Sequence, residues 1–324
     1  MKRIPPALAL ITSGFLLTGC GGSSTSTDTE SNHIAISIPF NAVAGEQKIV
    51  CGEYIKGLGE AGSDVKIADF RMFIHDVKLI TDQGINLAVK LDESQPSQNA
   101  DVVLLDFRDS AEATAICPEN NTEDTGKNPN YNNRIKGSAT IDPAYNISHI
   151  EFTVGVPFEL NHRDQTNATE PLRNPGLATG MHWNWQGGYK FTAIDVLPNG
   201  GITRPTDSTW FSNKWNIHIG STGCPTAKSE LASGASAEEC NAPNRTTITL
   251  GLNNTRFNNM AIQLDYAALI SNHNLSLDHG VKTGCMSFTG DPECADIFKK
   301  IGLPWDNNSA QEQTIFSVTQ ATNE

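Results

Sequence analysis

Short runs in which apolar and polar residues alternate constrain the fold of this chain more than any other feature. Successive side chains of a β-strand point to opposite faces, so alternation predicts strands with one buried face. Turn-forming segments rich in Asn, Gly, Pro and Asp separate the runs. The runs are residues 34–38, 70–79, 101–106, 148–154, 189–196, 246–250 and 261–265. They predict a mainly β fold, an antiparallel β-sandwich or barrel-like domain with long loops.

Helical signals are scarce and are clearest in residues 291–302. Asp291 can cap a helix, Pro292 suits a first turn and Gly302 can end the helix. We therefore expect a short helix near the C terminus that covers the sheet and contributes little to the core. Residues 305–324 are expected to form a polar C-terminal tail.

Residues 1–20 have the pattern of a bacterial lipoprotein signal. Lys2 and Arg3 precede an apolar run that ends at Leu17, and the sequence Leu-Thr-Gly-Cys closes the segment at Cys20. Cleavage there would leave Cys20 as the lipidated N terminus. We predict a protein held outside the cytoplasm, on the outer membrane, by its acyl chains alone. Residues 21–32 would be a flexible tether, and residues 33–304 a single domain.

The formal net charge of −13 argues against two classes of partner. Loss of Lys2 and Arg3 with the signal makes the mature chain more negative still. Nucleic acid and anionic lipid surfaces are therefore not expected to bind it.

Of the seven cysteines, all except Cys20 remain for pairing. In an oxidising compartment an even number indicates disulfides, and six cysteines allow about fifteen connectivities. The sequence does not decide among these. The favoured close pairs bracket loops rich in Gly, Pro and Ser, and a third pair is what remains: Cys224 with Cys240, Cys285 with Cys294, and Cys51 with Cys117. A thiolate metal cluster is less favoured because CxxC spacing is absent.

Motifs of common enzymes are missing from the chain. It has no GxSxG elbow, no HExxH, no phosphate-binding loop, no dinucleotide fingerprint and no CxxCH haem attachment sequence. We predict that the protein is not an enzyme.

Residues 180–191, GMHWNWQGGYKF, place two of the five tryptophans one residue apart. Alternation would put Trp183 and Trp185 on one face of a strand and His182 on the other. It would also put Phe73, His75 and Val77 on one face. In residues 215–219, Asn216 and His218 would share a face. His75 and His218 are thus expected to point inward, although each histidine taken alone is more simply a structural residue, and tryptophans commonly fill a core.

These segments carry a resemblance to a known family. They occur in order over about residues 33–303: CG at 51, DFRMFIHDVKL at 69, FTVGVPFELNH at 152, WNWQ at 183, GYKF at 188, HIGSTGC at 218, GCMS at 284 and DPEC at 291. The combination resembles the MbnP-like family, also called metallo-mystery-pair four-Cys proteins.

The resemblance implies a copper protein that binds one Cu(I) ion and is paired with a di-haem enzyme of the MauG and bacterial cytochrome c peroxidase type. That partner would oxidise the first Trp of the WxW motif, here Trp183, to kynurenine. The four cysteines of the family name would be Cys224, Cys240, Cys285 and Cys294.

The proposed oxidation makes chemical sense for a copper site. An indole nitrogen only donates hydrogen bonds, whereas kynurenine offers an aryl amine and a ketone. Cu(I) suits imidazole and soft donors. Modified Trp183 and His218 rank first as ligands, followed by His75 and His162. His182 ranks lower because of strand parity, and Met181 and Met286 rank last.

Trp185 and Tyr189 are expected either to support the ligands or to form a hole-transfer surface for the partner. The competing interpretation is a carbohydrate- or protein-binding lipoprotein. Its surface platform would consist of Trp183, Trp185 and Trp215, and it would need no metal.

Overall fold

Two curled β-sheets form the body of the protein. The computed structural model describes residues 32–108, 130–184, 187–224, 240–280 and 282–321, and Ser31–Glu324 forms one compact unit. The prediction of a mainly β, sandwich-like fold with long loops is confirmed. Among the described residues, no helix is long and apolar enough to cross a membrane.

The larger sheet has the order β15-β9-β4-β11-β14-β17. Strand β10 pairs with β11, while β3, β5 and β7 pair with β4. Its strands are β3 (Ile55–Leu58), β4 (Ser63–Thr81), β5 (Asn86–Ala88), β7 (Val102–Asp106), β9 (Ile147–Val154), β10 (His182–Asn184), β11 (Gly188–Pro198), β14 (Trp215–Gly220), β15 (Thr246–Gly251) and β17 (Gly284–Cys285).

The smaller sheet has the order β18-β16-β1-β8-β6, and β2 pairs with β1. A separate hairpin joins β12 and β13. These strands are β1 (Asn32–Ala44), β2 (Gln47–Lys48), β6 (Lys90–Leu91), β8 (Arg134–Ile141), β12 (Ile202–Arg204), β13 (Asp207–Ser212), β16 (Met260–Asp265) and β18 (Phe316–Gln320).

The two sheets enclose the main core. Met72 and Ile74 of β4, together with Ile217 of β14, belong to the same buried cluster as Ile38 and Phe40 of the smaller sheet. Phe152 is fully buried there, and its ring lies 5.6 Å from that of Phe40 and 5.5 Å from that of Phe316. Edge-to-face contacts of this kind join the two sheets.

The opposite face of the larger sheet is also covered, and we call it the outer face. Phe73, Tyr189 and Ala193 pack there against Leu172 and Met181 from the connection between β9 and β10. This part of the large sheet is therefore buried on both sides, which explains the apolar run Met72-Phe73-Ile74 in β4 and the burial of most residues of β11.

Strand β4 changes face at Asp76. This residue has φ of +51°, and the pairing of β4 with β9 shifts between His75 and Lys78. As a result Phe73 belongs to the outer cluster and Val77 to the main core. The prediction that Phe73, His75 and Val77 share one face is wrong, because the bulge adds a residue to the alternation.

Four short helices occur in the described residues: Phe158–Asn161, the 3-10 turn Phe257–Asn259, Tyr266–Leu269 and Cys294–Ile301. The last confirms the predicted helix but begins later, since the Asp291 carboxylate accepts hydrogen bonds from the backbone N–H groups of Met286 and Glu293 and so closes a turn before the helix. Gly302 ends it with φ of +82°.

Residues 305–324 are not simply the polar tail that the sequence predicted. Phe316–Gln320 forms β18, which pairs antiparallel with β16, and Ile315 and Phe316 are buried. The segment is short and rich in Thr, Ser and Gln, so its buried positions gave too weak an alternation to predict a strand.

Two of the three predicted disulfides are confirmed. Cys224 is bonded to Cys240, and Cys285 to Cys294. The third predicted pair cannot be followed, because Cys117 lies outside the described residues, although Cys51 is buried in the main core. Cys20 and residues 21–31 of the predicted tether also lie outside them, whereas Asn32 is the first residue of β1.

Replacing Phe152 by Ala should destabilise the fold by about 3–5 kcal/mol, because a large ring between the two sheets is replaced by a cavity. Urea unfolding measures the change. The matched control is Phe211→Ala, since Phe211 is 62% exposed, and it should change stability by less than about 0.5 kcal/mol. Equal losses for the two variants would contradict the assignment of Phe152 to the core.

Candidate metal centre

The predicted histidine ligands lie on the outer face or in the segments that cover it, and of these His162 and His182 are brought near each other. On β14, Trp215, Ile217 and Ile219 belong to the main core. By alternation Asn216, His218 and Gly220 take the outer face, as the sequence predicted for the first two. His218 therefore points away from the main core. The segments that cover the outer face bury it.

The indole ring of Trp183 packs directly against Gly220. A β-carbon added to Gly220 would come within 2.6 Å of an indole ring carbon of Trp183, so only glycine leaves room for this ring. The indole also lies near Phe288, with 6.3 Å between ring centroids and an angle of 33°. Trp183 is half-buried and Phe288 is 52% exposed. The indole therefore contacts a strand position that has no side chain, and it lies near an aromatic ring that solvent reaches.

His182 turns to a different neighbour. Its ring meets the Tyr189 ring edge-on at 5.0 Å, and its Nε2 is buried without a hydrogen-bond partner. Burial, and next the nearby His162, lower the pKa of His182 to about 4. The imidazole is neutral at pH 7, so its unpartnered Nε2 can offer a lone pair.

His162 follows the short helix Phe158–Asn161 and is 4% exposed. Its Nε2 lies 3.1 Å from Nδ2 of Asn161 and 3.4 Å from Sγ of Cys240. The Asn161 amide is itself fixed, because its Oδ1 accepts a 2.9 Å hydrogen bond from the backbone N–H of Tyr189. The sequence neighbours Asn161 and His162 thereby connect the helix to β11 and to the Cys224–Cys240 disulfide.

His218 is held by a carboxylate. Its Nε2 lies 2.7 Å from Oδ1 of Asp195 on β11, and Nζ of Lys214 lies 3.7 Å from the other carboxylate oxygen. A hydrogen bond from one imidazole nitrogen to a carboxylate is common among metal-binding histidines. In this orientation only Nδ1 of His218 remains for a metal.

His75 makes a comparable bond to the backbone. Its Nδ1 lies 2.9 Å from the carbonyl oxygen of Gly155, which leaves Nε2 with the lone pair. Burial lowers its pKa, against the opposing effect of the Gly155 hydrogen bond. This contact ties His75 to the end of β9.

The remaining predicted residues divide by exposure. Tyr189 is buried, and its hydroxyl donates to the carbonyl of Leu172, so it fits the supporting role and not a surface for a partner. Met286 is half-buried and Met181 fully buried. Trp185 lies outside the described residues.

Trp215 is 1% exposed and faces the main core, so it cannot belong to a surface stacking platform.

Sequence reasoning missed three contributors to this centre. Asn161 orients the backbone at Tyr189, Gly220 seats Trp183, and Phe288 covers it. Asn161 and Gly220 lay inside the segments that carried the family resemblance, but nothing in the sequence showed which residues they would contact. Phe288 follows the GCMS segment and gave no signal of its own.

Comparison with known proteins gives two matches. The family model described as MbnP matches residues 33–287. The solved structure of MbnP from Methylosinus trichosporium is 27% identical, with a TM-score of 0.74, over 90% of this chain and 100% of that one. No curated protein sequence matches the chain.

The imidazole of His182 should titrate near pH 4 in metal-free protein, because burial opposes its protonation. NMR of the ring protons measures the midpoint. Since the folded-state pKa lies below the ordinary value of 6.5, the stability gained by keeping His182 neutral is present above about pH 6.5 and is lost as the pH falls towards 4.

Unfolding of the His182→Gln variant provides the comparison, since glutamine does not titrate. The stability of wild type relative to this variant should fall as the pH decreases from 6.5 to 4. A ring midpoint at or above 6.5 would contradict the burial of a neutral imidazole at this position.

Proposed function

Because the chain belongs to the MbnP family, we propose that it is a lipoprotein outside the cytoplasm that binds a single Cu(I) ion in copper homeostasis. The observation that carries this proposal is the buried Nε2 of His182, which has no hydrogen-bond partner and lies beside Trp183 in sequence and His162 in space. A buried polar atom without a partner is costly, and an ion is one of the few things that satisfies it.

The donor set suits this ion. Cu(I) accepts neutral imidazole in sites with few ligands. We propose His182 as the first ligand and His162 as the second, with a third donor at position 183. The contact with the Tyr189 ring would hold His182 in place, whereas Nε2 of His162 would exchange its hydrogen bond from the Asn161 amide for the metal.

Trp183 would provide its donor only after oxidation. Insertion of two oxygen atoms across the indole C2–C3 bond opens the five-membered ring, and hydrolysis then releases C2 as formate. The kynurenine that remains keeps the aryl nitrogen as a primary amine with a lone pair. The six-membered ring, which lies against Gly220 and near Phe288, would keep its position during this change.

The oxidant would come from a separate di-haem protein of the MauG and cytochrome c peroxidase type, because the sequence has no haem attachment motif. In this scheme the chain is the substrate of the modification and then the copper-binding member of the pair. The half-exposed position of Trp183, next to exposed Phe288, is compatible with electron transfer to a docked partner.

His218 is the competing ligand. Its bond to Asp195 is of the type that orients metal-binding histidines. It also lies two residues from Gly220, on the same face of β14 as the Trp183 ring, which places the two positions about 7 Å apart along the strand. Separate substitution of His182 and His218 decides between the two sites.

The stacking alternative has less support. Trp215 is buried in the main core and Trp183 is only half-buried. A platform for sugar or protein would have to rely on Trp183 and Trp185. This alternative predicts an intact indole at 183 and binding that survives removal of metal.

Trp183→Phe should fold normally yet bind Cu(I) at least about tenfold more weakly than wild type when both are co-expressed with the di-haem partner, since phenylalanine fills the space without supplying a donor. Titration against a Cu(I) competitor measures the affinity. Mass spectrometry should show one carbon exchanged for one oxygen in wild type. Trp210→Phe, which replaces another half-buried tryptophan, is the matched control and should bind copper as wild type does.

His182→Gln and His162→Gln should weaken Cu(I) binding by at least about tenfold and leave Trp183 oxidisable, because neither side chain contributes to the oxidation. His149→Gln, on an exposed histidine, is the control. If His218→Gln lost copper binding while His182→Gln kept it, the copper ligand would be His218, which is bonded to Asp195, and not His182. Affinities unchanged in all of these variants would refute a copper site on the outer face.

Cys20→Ser should release the protein from membranes, because the proposed anchor is the lipid on this cysteine alone. Fractionation of cells expressing the variant and wild type measures the distribution. A variant that remains with the outer membrane after washing in high salt would show that another part of the chain holds it there.

A further inference from the structure

The Cys224–Cys240 disulfide lies against a histidine. Sγ of Cys240 is 3.4 Å from Nε2 of His162, and the ligand atoms of His162, Cys224 and Cys240 all lie within 4.8 Å of one another. All three residues are at least nine-tenths buried. In the part of the chain that the structure describes, no other set of three His, Cys, Asp or Glu residues brings its ligand atoms this close.

We propose that this disulfide locks a second metal site, a Cys₂His site for a thiophilic d¹⁰ cation such as Cu(I) or Zn(II), which reduction makes available. While the sulfurs are bonded to each other they are poor ligands. As two thiolates beside an imidazole nitrogen, they are the donors that such cations prefer.

The redox step needs a dithiol as the reductant. One thiolate of the dithiol attacks a sulfur of the Cys224–Cys240 bond and forms a mixed disulfide, which its second thiol then resolves. The dithiol becomes a disulfide, and two electrons and two protons pass to the cysteines. Binding of the cation afterwards releases the two thiol protons.

The position of His162 favours this site over ordinary free thiols. Its Nε2 lies near both Cys240 and the Asn161 amide, so the imidazole is already directed at the sulfurs before reduction. The Cys285–Cys294 disulfide serves as the comparison. Sγ of Cys294 accepts a hydrogen bond from the backbone N–H of Ser287, and no imidazole completes a three-residue set with Cys285 and Cys294 among the described residues.

The proposal goes beyond the proposed function, because it needs neither oxidation of Trp183 nor the di-haem partner. It shares only His162 with the copper site. Protein expressed without the partner, with intact Trp183, therefore tests it separately. The result of this test does not bear on the role of Trp183, and the result for Trp183 does not bear on the disulfide site.

The experiment is a Cd²⁺ titration of the full mature chain before and after reduction by a dithiol, with removal of the dithiol under anaerobic conditions. Sulfur-to-cadmium charge transfer absorbs in the ultraviolet and reports thiolate ligation. Reduced wild type should bind Cd²⁺ with this absorption, and oxidised wild type should show none. The Cys285→Ser/Cys294→Ser double variant should behave as wild type, and the Cys224→Ser/Cys240→Ser double variant should lose the absorption.

His162→Gln should keep the absorption, because both thiolates remain, but bind Cd²⁺ at least about tenfold more weakly. Alkylation followed by peptide mapping gives an independent measurement that needs no serine variant to fold. Bound Cd²⁺ should slow the alkylation of Cys224 and Cys240 relative to reduced protein without Cd²⁺, and it should not change the alkylation of Cys285 and Cys294, which are fully buried.

Three results would overturn the proposal. The first is a Cys224–Cys240 bond that resists dithiol until the protein unfolds. The second is absorption that persists in the Cys224→Ser/Cys240→Ser variant. The third is unchanged Cd²⁺ affinity in His162→Gln, which would show that the imidazole is not a ligand.

Discussion

Pairing of β4 with the strands around it is the constraint on which the rest of the structure depends. One edge of this 19-residue strand pairs first with β11 and then with β9, and the other edge pairs with β3, β7 and β5. Its side chains therefore supply both the main core and the outer cluster. The left-handed residue Asp76 divides the strand, so that the part before it orients His75 and the part after it returns to the main core. Every candidate ligand on the outer face is positioned relative to this strand or to its neighbour β11.

The polar side chains of the outer face lie among apolar residues. Asp195 and His218 satisfy each other, and Asn161 satisfies the backbone of Tyr189. The Nε2 of His182 remains buried without a partner. Because burial keeps this imidazole neutral, the same desolvation that would make a charged site expensive makes a site for a soft monovalent cation feasible. The fold and the proposed chemistry thus both depend on the chain segments that cover the outer face.

Sequence alone predicted most of the strands, because alternation reports which residues are buried at short range. It also placed Asn216 and His218 on one face, since β14 is regular. It failed for Val77, where a bulge intervenes, and for residues 316–320, where polar residues weaken the pattern. The contacts of His162 with Cys240 and of Trp183 with Gly220 join segments far apart in the chain. Local periodicity holds no information on such contacts, so the gathering of the site was accessible only through the family resemblance or the structure.

The glycine beneath Trp183 has a consequence for how this position can change shape. A side chain under an aromatic ring normally relaxes when the ring is altered and fills part of the space that becomes free. Gly220 has no side chain to relax, and its backbone is fixed by pairing with Lys190. The indole atoms nearest to its position are Cζ3 and Cη2 of the six-membered ring, which the proposed opening of the five-membered ring leaves in place. The strand therefore offers a rigid surface against which the six-membered ring can stay packed while the rest of the side chain changes.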